Sequence, residues 1–337
     1  GAWWRGAERG RGTAAEQVTA DMPVSEPFGP GRRPRPGVQT KDAQPSVDGP
    51  YALVLGIAQD AGYPQAGCRG ACCAPAWADP SRRRHAACLA LVDPAAGRRW
   101  LIDATPDLRE QLRVLDLACP PAAERPAPAL DGIFLTHGHL GHVLGLLQLG
   151  KEAMGARAVP VYAMPRLLAF LRRQEPWAAL ERGGHVLLRP LAAHEPVRLS
   201  DGLTLEPILV PHRDELTETV AFRIGGPNHR LLYLPDIDGW SQAAGMGLTL
   251  PDLLAAVDRA YVDATFFDGS ELPGRDMRQV PHPTVVDTLA RVVTLPPAER
   301  VKLRLLHLNH TNPLLHPGSS QRAVVAAAGV GLAEEGE

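Results

Sequence analysis

The stretch "GIFLTHGHLGHVLGL", residues 132–146, decides how the rest of this chain is read. A short apolar run ends at Thr136, and His137, His139 and His142 follow within six residues. Apolar runs of this length bounded by a change of pattern read as buried strands, and the residues after His139 take up helical spacing. His137 and His139 alternate by two, so in extended backbone they share a side. His142 comes about one helical turn later and reaches back to the same point. Neutral imidazole is the commonest transition-metal ligand near neutral pH, so the spacing points to a metal.

A metal needs further ligands, and the chain offers them just past other apolar runs. "LEPILVPHRDE" delivers His212, with Arg213 and Asp214 beside it. "RLLYLPDIDGW" delivers Asp236 and Asp238, and "RLLHLNHTNP" delivers His307 and His310. Chemistry-bearing side chains on loops that leave a rigid sheet are a recurrent arrangement.

The 337 residues carry a formal net charge of −2, with 45% hydrophobic and 21% charged residues. That composition fits a globular domain and gives no basic surface for nucleic acid. No run is long and apolar enough to read as a transmembrane span. The sequence starts at Gly1 rather than Met, so both a cytoplasmic and an exported location stay open. Oligomeric state is not legible. Residues 1–49, with "GPGRRPRPG" at their extreme, have no periodicity and are expected to form a disordered tail or linker. The domain is expected over 50–333. Strand patterns lie at 51–58, 88–92, 99–102, 132–136, 159–163, 203–210, 219–224, 230–234 and 303–308. Helical patterns lie at about 141–153, 165–173, 251–258, 283–294 and 319–328. Sheet-rich halves with interspersed helices predict one layered α/β domain.

With "LGIAQDAGYPQAGC", "THGHLGHVLGLLQLGKEAMG", "VPHRDELTETVAFRI", "LLYLPDIDGW", "VDATFF" and "HLNHTNP" in view, the sequence resembles the metallo-β-lactamase superfamily. Within it, the likeness is to the PqqB group of pyrroloquinoline quinone biosynthesis. The resemblance implies a four-layer αββα sandwich with metal at one edge of two sheets. It assigns His137, His139 and His212 to one ion, His142 and His307 to a second, and Asp236 to the space between, where it would also be catalytic. His310 is left behind the ligands or at substrate. Hydrolytic members usually read H-x-H-x-D-H, and Gly141 stands here in place of that aspartate.

Two chemistries follow for one or two ions of Zn2+ or Fe2+. A metal-activated water attacks an acyl or phosphoryl centre. Alternatively, two imidazoles and one carboxylate with open positions hold Fe(II) for oxygenase chemistry, the hydroxylation that the resemblance attributes to the PqqB group. The substrate class is a small molecule or a modified peptide. A metal carrier without turnover is the reading from outside enzymology. Asp263 and Asp238 are expected to orient ligand imidazoles, and Asp103 to support the metal loops. Asp60, in a glycine-rich loop, is expected to line the pocket or shape a turn, and His282 to cap a helix or touch substrate. Cys68, Cys72 and Cys73 suit an additional structural Zn2+, with His85 as the nearest fourth ligand.

Overall fold

The apolar run after Pro50 forms β1 (Tyr51–Gly56), whose side chains are buried from Leu53 onward. The computed structural model describes residues 49–272 and 274–337, so the tail expected over 1–49 lies outside it except for Gly49. β1 pairs antiparallel with β2 (Cys88–Asp93), which pairs antiparallel with β3 (Arg98–Ile102). Parallel pairing then adds β4 (Gly132–Phe134), β5 (Val159–Ala163) and β6 (Val186–Pro190), closing a six-stranded sheet.

The second sheet repeats this plan. β7 (Val197–Ser200), β8 (Leu203–Val210), β9 (Thr219–Gly225) and β10 (Arg230–Leu234) are antiparallel neighbours. β11 (Arg259–Asp263), β12 (Leu303–Leu306) and β13 (Gly331–Leu332) extend it in parallel. Parallel neighbours require crossovers. Helices Leu108–Ala118, Pro165–Arg173 and Trp177–Arg182 serve the first sheet, and Trp240–Gly245, Leu250–Ala255 and Val285–Val292 the second.

Three apolar clusters correspond to the three interfaces of an αββα sandwich. Val54, Leu89, Leu91, Trp100 and Phe134 of the first sheet meet Leu205, Val220, Phe222, Tyr233 and Leu306 of the second. Cys88, Ala90 and Leu101 face the other way, onto Leu108, Leu115, Leu167 and Leu171 of the helices. Leu232, Val262 and Leu305 pack on Trp240, Leu254, Val285 and Leu289. Each central strand is buried on both faces, which explains why β2 reads as one continuous apolar run.

β8 and β10 are both antiparallel to β9 and so point the same way; β10, β11 and β12 are parallel to one another. Their C-terminal ends therefore lie along one edge of the second sheet, as those of β3 and β4 do along the first. Every histidine and aspartate singled out above as following an apolar run is delivered to one of these ends.

The structure corrects several element boundaries. The helix expected at 141–153 is one α-turn, Leu140–Val143, followed by the tighter 3₁₀ segment Leu144–Leu149. Gly145 sits against the backbone after β3: its N–H donates to Ala104 O at 2.8 Å, and a Cβ there would meet Thr105 O at 2.2 Å. β6, β7 and β11 were not read as strands; β6 is an edge strand with an irregular burial pattern. At the other terminus, the chain beyond Ala333 stays on the body. Gly336 N donates to Val54 O, and Val54 N donates to Glu337 O.

Candidate metal centre

Two carboxylates buried behind the sheet ends organise the site. Asp103 follows β3 in left-handed backbone (φ 70°) and is fully buried. Its Oδ1 accepts from Thr136 N at 2.8 Å, and its Oδ2 lies 2.7 Å from His142 Nδ1. Thr136 Oγ1 lies 3.0 Å from both carboxylate oxygens and 3.0 Å from His137 Nδ1. Asp263 does the same on the second sheet. Its Oδ1 accepts from Thr265 N and Oγ1, and Thr265 Oγ1 lies 2.9 Å from His307 Nδ1. Its Oδ2 lies 2.7 Å from His282 Nδ1. With Nδ1 bonded behind, His137, His142 and His307 are left to present Nε2 forward, which is how partners behind a ligand fix its tautomer.

The forward atoms form two adjoining groups. His137 Nε2 and His212 Nε2 lie 2.9 and 3.3 Å from His139 Nδ1. His142 Nε2 and His307 Nε2 lie 3.1 and 3.4 Å from Asp236 Oδ2, and Asp236 Oδ1 is 3.5 Å from His212 Nε2. Asp236 thus touches both groups. Asp60 Oδ1 completes the second, 3.3 Å from His142 Nε2 and 3.8 Å from His307 Nε2. Asp238 stands beside His212, with Oδ1 3.3 Å from Nδ1.

Electrostatics suit a cation. Burial holds His137 well below the usual imidazole range and, with His212 beside it, brings His139 down to about 4, so both are neutral as ligands must be. Burial would lower His142 too, but Asp103 and Asp236 hold it well above. Burial would raise Asp236 and Asp60, but the imidazoles around each keep them well below the carboxylate range. Asp60 Oδ1, His142 Nε2, Asp236 Oδ2 and His307 Nε2 are all buried, close together and without a hydrogen bond of acceptable geometry. Buried polar atoms are normally satisfied, and this convergence of carboxylate and imidazole atoms without partners marks a place for a positive ion, which would displace the His142 proton. The side chains present fit a metal.

Among the sequence candidates, His137, His139, His142, His212, Asp236 and His307 come together. Asp103 stands behind His142, Asp238 beside His212 and Asp263 behind His282. His282 does not cap its helix, since Thr284 fills that role. It faces the site instead, with one ring nitrogen within 4.8 Å of ligand atoms of His212 and Asp236. Arg213 pairs with Glu215, and Asp214 lies at the surface beside Arg166. Thr136 and Thr265 escaped the sequence reading, although Thr136 adjoins His137 in "LTHGH" and Thr265 follows Asp263 by two in "VDATFF".

Two expectations are overturned. His85 is not the fourth partner of the cysteines: it lies 3.4 Å from Glu335, held where β1 and the C-terminus meet. His310 takes that place, having left the histidine centre. Its Nδ1 is 3.4 Å from Cys73 Sγ and 3.7 Å from Cys72 Sγ, and Cys68 Sγ is 3.6 Å from Cys72 Sγ. The turn after His307 brings the next histidine to the cysteines, which sequence separation does not encode. A groove of about 720 Å³, lined by Tyr51, Ile224, Leu231 and Tyr261, holds none of these ligands, so the chemistry rather than the volume marks the site.

The model of the β-lactamase superfamily domain matches residues 98–307, well over half of the chain. The chain belongs to the metallo-β-lactamase superfamily. Among its relatives is the coenzyme PQQ synthesis protein B of Xanthomonas campestris pv. campestris, 30% identical over 314 residues, covering 84% of this chain and 97% of the relative. The protein of that name from Methylorubrum extorquens is 28% identical over 311 residues, covering 85% and 98%. The crystal structure of Zn2+-bound PqqB from Methylobacterium extorquens aligns with a TM-score of 0.69 at 27% identity, covering 85% of this chain and 98% of that one. A diphosphatase of the PhnP family aligns at 0.59 and 25% identity, covering 86% and 95%. Among the described residues, no helix is long and apolar enough to cross a membrane.

Proposed function

We propose that this superfamily member is a metal-dependent hydrolase acting on an acyl or phosphoryl centre, with ions in two adjoining positions. The observation that carries this reading is Asp236, whose two oxygens reach His212 on one side and His142 and His307 on the other. His137, His139 and His212 would hold one ion and His142 and His307 the other, with Asp236 between them. An ion bound there would supply Lewis acidity and, in the case of Zn2+, a water acidified to a pKa of about 7. The diphosphatase relative supports hydrolysis at a phosphoryl centre.

The chain's own residues would manage the proton. Asp263 fixes Nδ1 of His282 and leaves Nε2 to carry a proton towards the leaving group. Burial would lower His282, but Asp263 outweighs it and raises the imidazole to about 9, so it stays protonated at neutral pH. With zinc-loaded protein, His282→Gln should lower kcat roughly 10²–10⁴-fold on esters with alkoxide leaving groups. It should have little effect on p-nitrophenyl esters, whose leaving group needs no proton. Equal loss on both would rule out the acid role. Wild-type protein inactive on phosphodiesters, carboxylic esters and lactams alike would rule out the hydrolase.

A second reading has its own support. Two imidazoles and a carboxylate suit iron, and relatives covering 84% of this chain are named for coenzyme PQQ synthesis. On that reading the protein is an iron-dependent oxygenase acting on a modified peptide or small molecule of that pathway. Iron retained by wild-type protein purified without added metal, and lost from His142→Ala, would favour it.

Cys68, Cys72, Cys73 and His310 offer four donor atoms within 4.8 Å of one another, the donor set of a closed structural zinc site. Such an ion would tie the 59–73 loop to the segment that carries His307.

A further inference from the structure

Gly141 occupies the place where hydrolytic relatives carry the aspartate of H-x-H-x-D-H, so on sequence alone the second group of donors is one carboxylate short. The space beside Gly141 is filled. A Cβ built there would lie 2.1 Å from Asp60 Oδ1, 2.5 Å from Asp60 Cα and 2.7 Å from Asp60 Cγ. Contacts this short do not occur, so the 59–62 loop and a side chain at 141 exclude each other. The loop is firmly held in this position. Gln59 N donates to Leu308 O, Ala58 N to His85 O and Gly62 N to Gln59 O, and Ala58 bridges to both Ala86 and Leu308. The Asp60 side chain is 35% exposed overall, yet its Oδ1 is shut off from solvent and faces His142 and His307 without a hydrogen bond.

We propose that Asp60 is the carboxylate ligand of the second ion, supplied from the loop after β1 in place of residue 141. This rests on the two-position reading above and adds the donor that reading lacks. Glycine at 141 is then the condition for Asp60 to enter, rather than the loss of a ligand. The His142/His307 position has two imidazoles, the Asp60 carboxylate and a share of Asp236. Cys68, Cys72 and Cys73 lie in the same stretch after β1 and meet His310 of the segment after His307, which an ion bound there would tie together.

The test is metal titration of apo protein, with no turnover needed. Cobalt(II) would be added to wild type, Asp60→Asn and His142→Ala, with the thiol cluster preloaded with zinc. Ligand-field absorption and equilibrium dialysis would be read together. Asn keeps the volume of Asp and removes the charge, so folding is preserved; near-UV circular dichroism checks this. Wild type should take up two cobalt equivalents. Asp60→Asn should bind the first normally and the second more weakly, by at least the 10–100-fold that removing a partner behind a ligand costs. His142→Ala should reproduce that pattern. Two equivalents bound by Asp60→Asn with wild-type affinity would overturn the role of Asp60 and leave the two-position reading intact. A single equivalent in wild type, unchanged in Asp60→Asn, would overturn both.

Discussion

Replacing Asp103 by asparagine changes one atom and tests the tautomer argument directly. Asp103 Oδ1 accepts from Thr136 N at 2.8 Å and Oδ2 lies 2.7 Å from His142 Nδ1, with Thr136 Oγ1 3.0 Å from each. A carboxylate can accept on both sides, whereas an amide has one accepting atom and one donating atom. If the amide nitrogen faces Thr136, it meets a backbone N–H, and two buried donors are left opposed. If it faces His142, Nδ1 must become the acceptor and the ring proton moves to Nε2, the atom that faces Asp236 and Asp60. The first orientation leaves buried donors opposed, at a cost of about 1–3 kcal/mol, since Asp103 and His142 are both buried. The second orientation protonates the metal-binding nitrogen. Asp103→Asn should therefore weaken ion binding at the His142/His307 position by roughly 10–100-fold, while the His137/His139/His212 position changes less. Cobalt titration of apo protein measures both, and thermal denaturation of the apo forms measures the stability loss. Second-ion affinity within a factor of about two of wild type would refute the claim that Asp103 sets the tautomer of His142.

Two further outcomes are expected. In metal-free protein, His282 titrates at about 9, above its ordinary 6.5, because Asp263 favours the charged ring. A folded-state pKa raised in this way contributes stability that is full below pH 6.5 and is lost as pH rises through 9. The melting temperature of apo wild type should fall across that window, and His282→Gln should flatten the fall; an unchanged slope would count against the Asp263–His282 contact. His310→Ala should remove one zinc ion, leave cobalt uptake by His137, His139 and His212 intact, and make the 59–73 segment more susceptible to proteolysis. His85→Ala should leave zinc content unchanged, and elemental analysis of the two variants distinguishes the assignments.

Much of this site was legible because its candidate ligands follow strands. An apolar run followed within a residue or two by His or Asp gives the strand and its ligand together, as in "GIFLTH", "ILVPH" and "RLLHL". Gly141 was legible only as an absence, because the Cα of Asp60 lies eighty-one positions earlier in the chain. Asp103 and Asp263 were recognisable as acids at strand ends, but the threonines that link them to second imidazoles were not: a hydroxyl shared between two partners has no sequence period. β11 was missed as a strand although its neighbours were found.

The sequence by itself determined which side chains could ligate and which strands would carry them, because burial imposes a local pattern on strands and the ends of strands are where that pattern breaks. The tertiary structure decided which donors come together. The hand-over of His310 from the histidine centre to the cysteines, and the entry of Asp60 into the space beside Gly141, depend on where the loop after β1 meets the turn after β12. Residues distant in the chain meet there because two sheets pack face to face, and no local pattern records that contact.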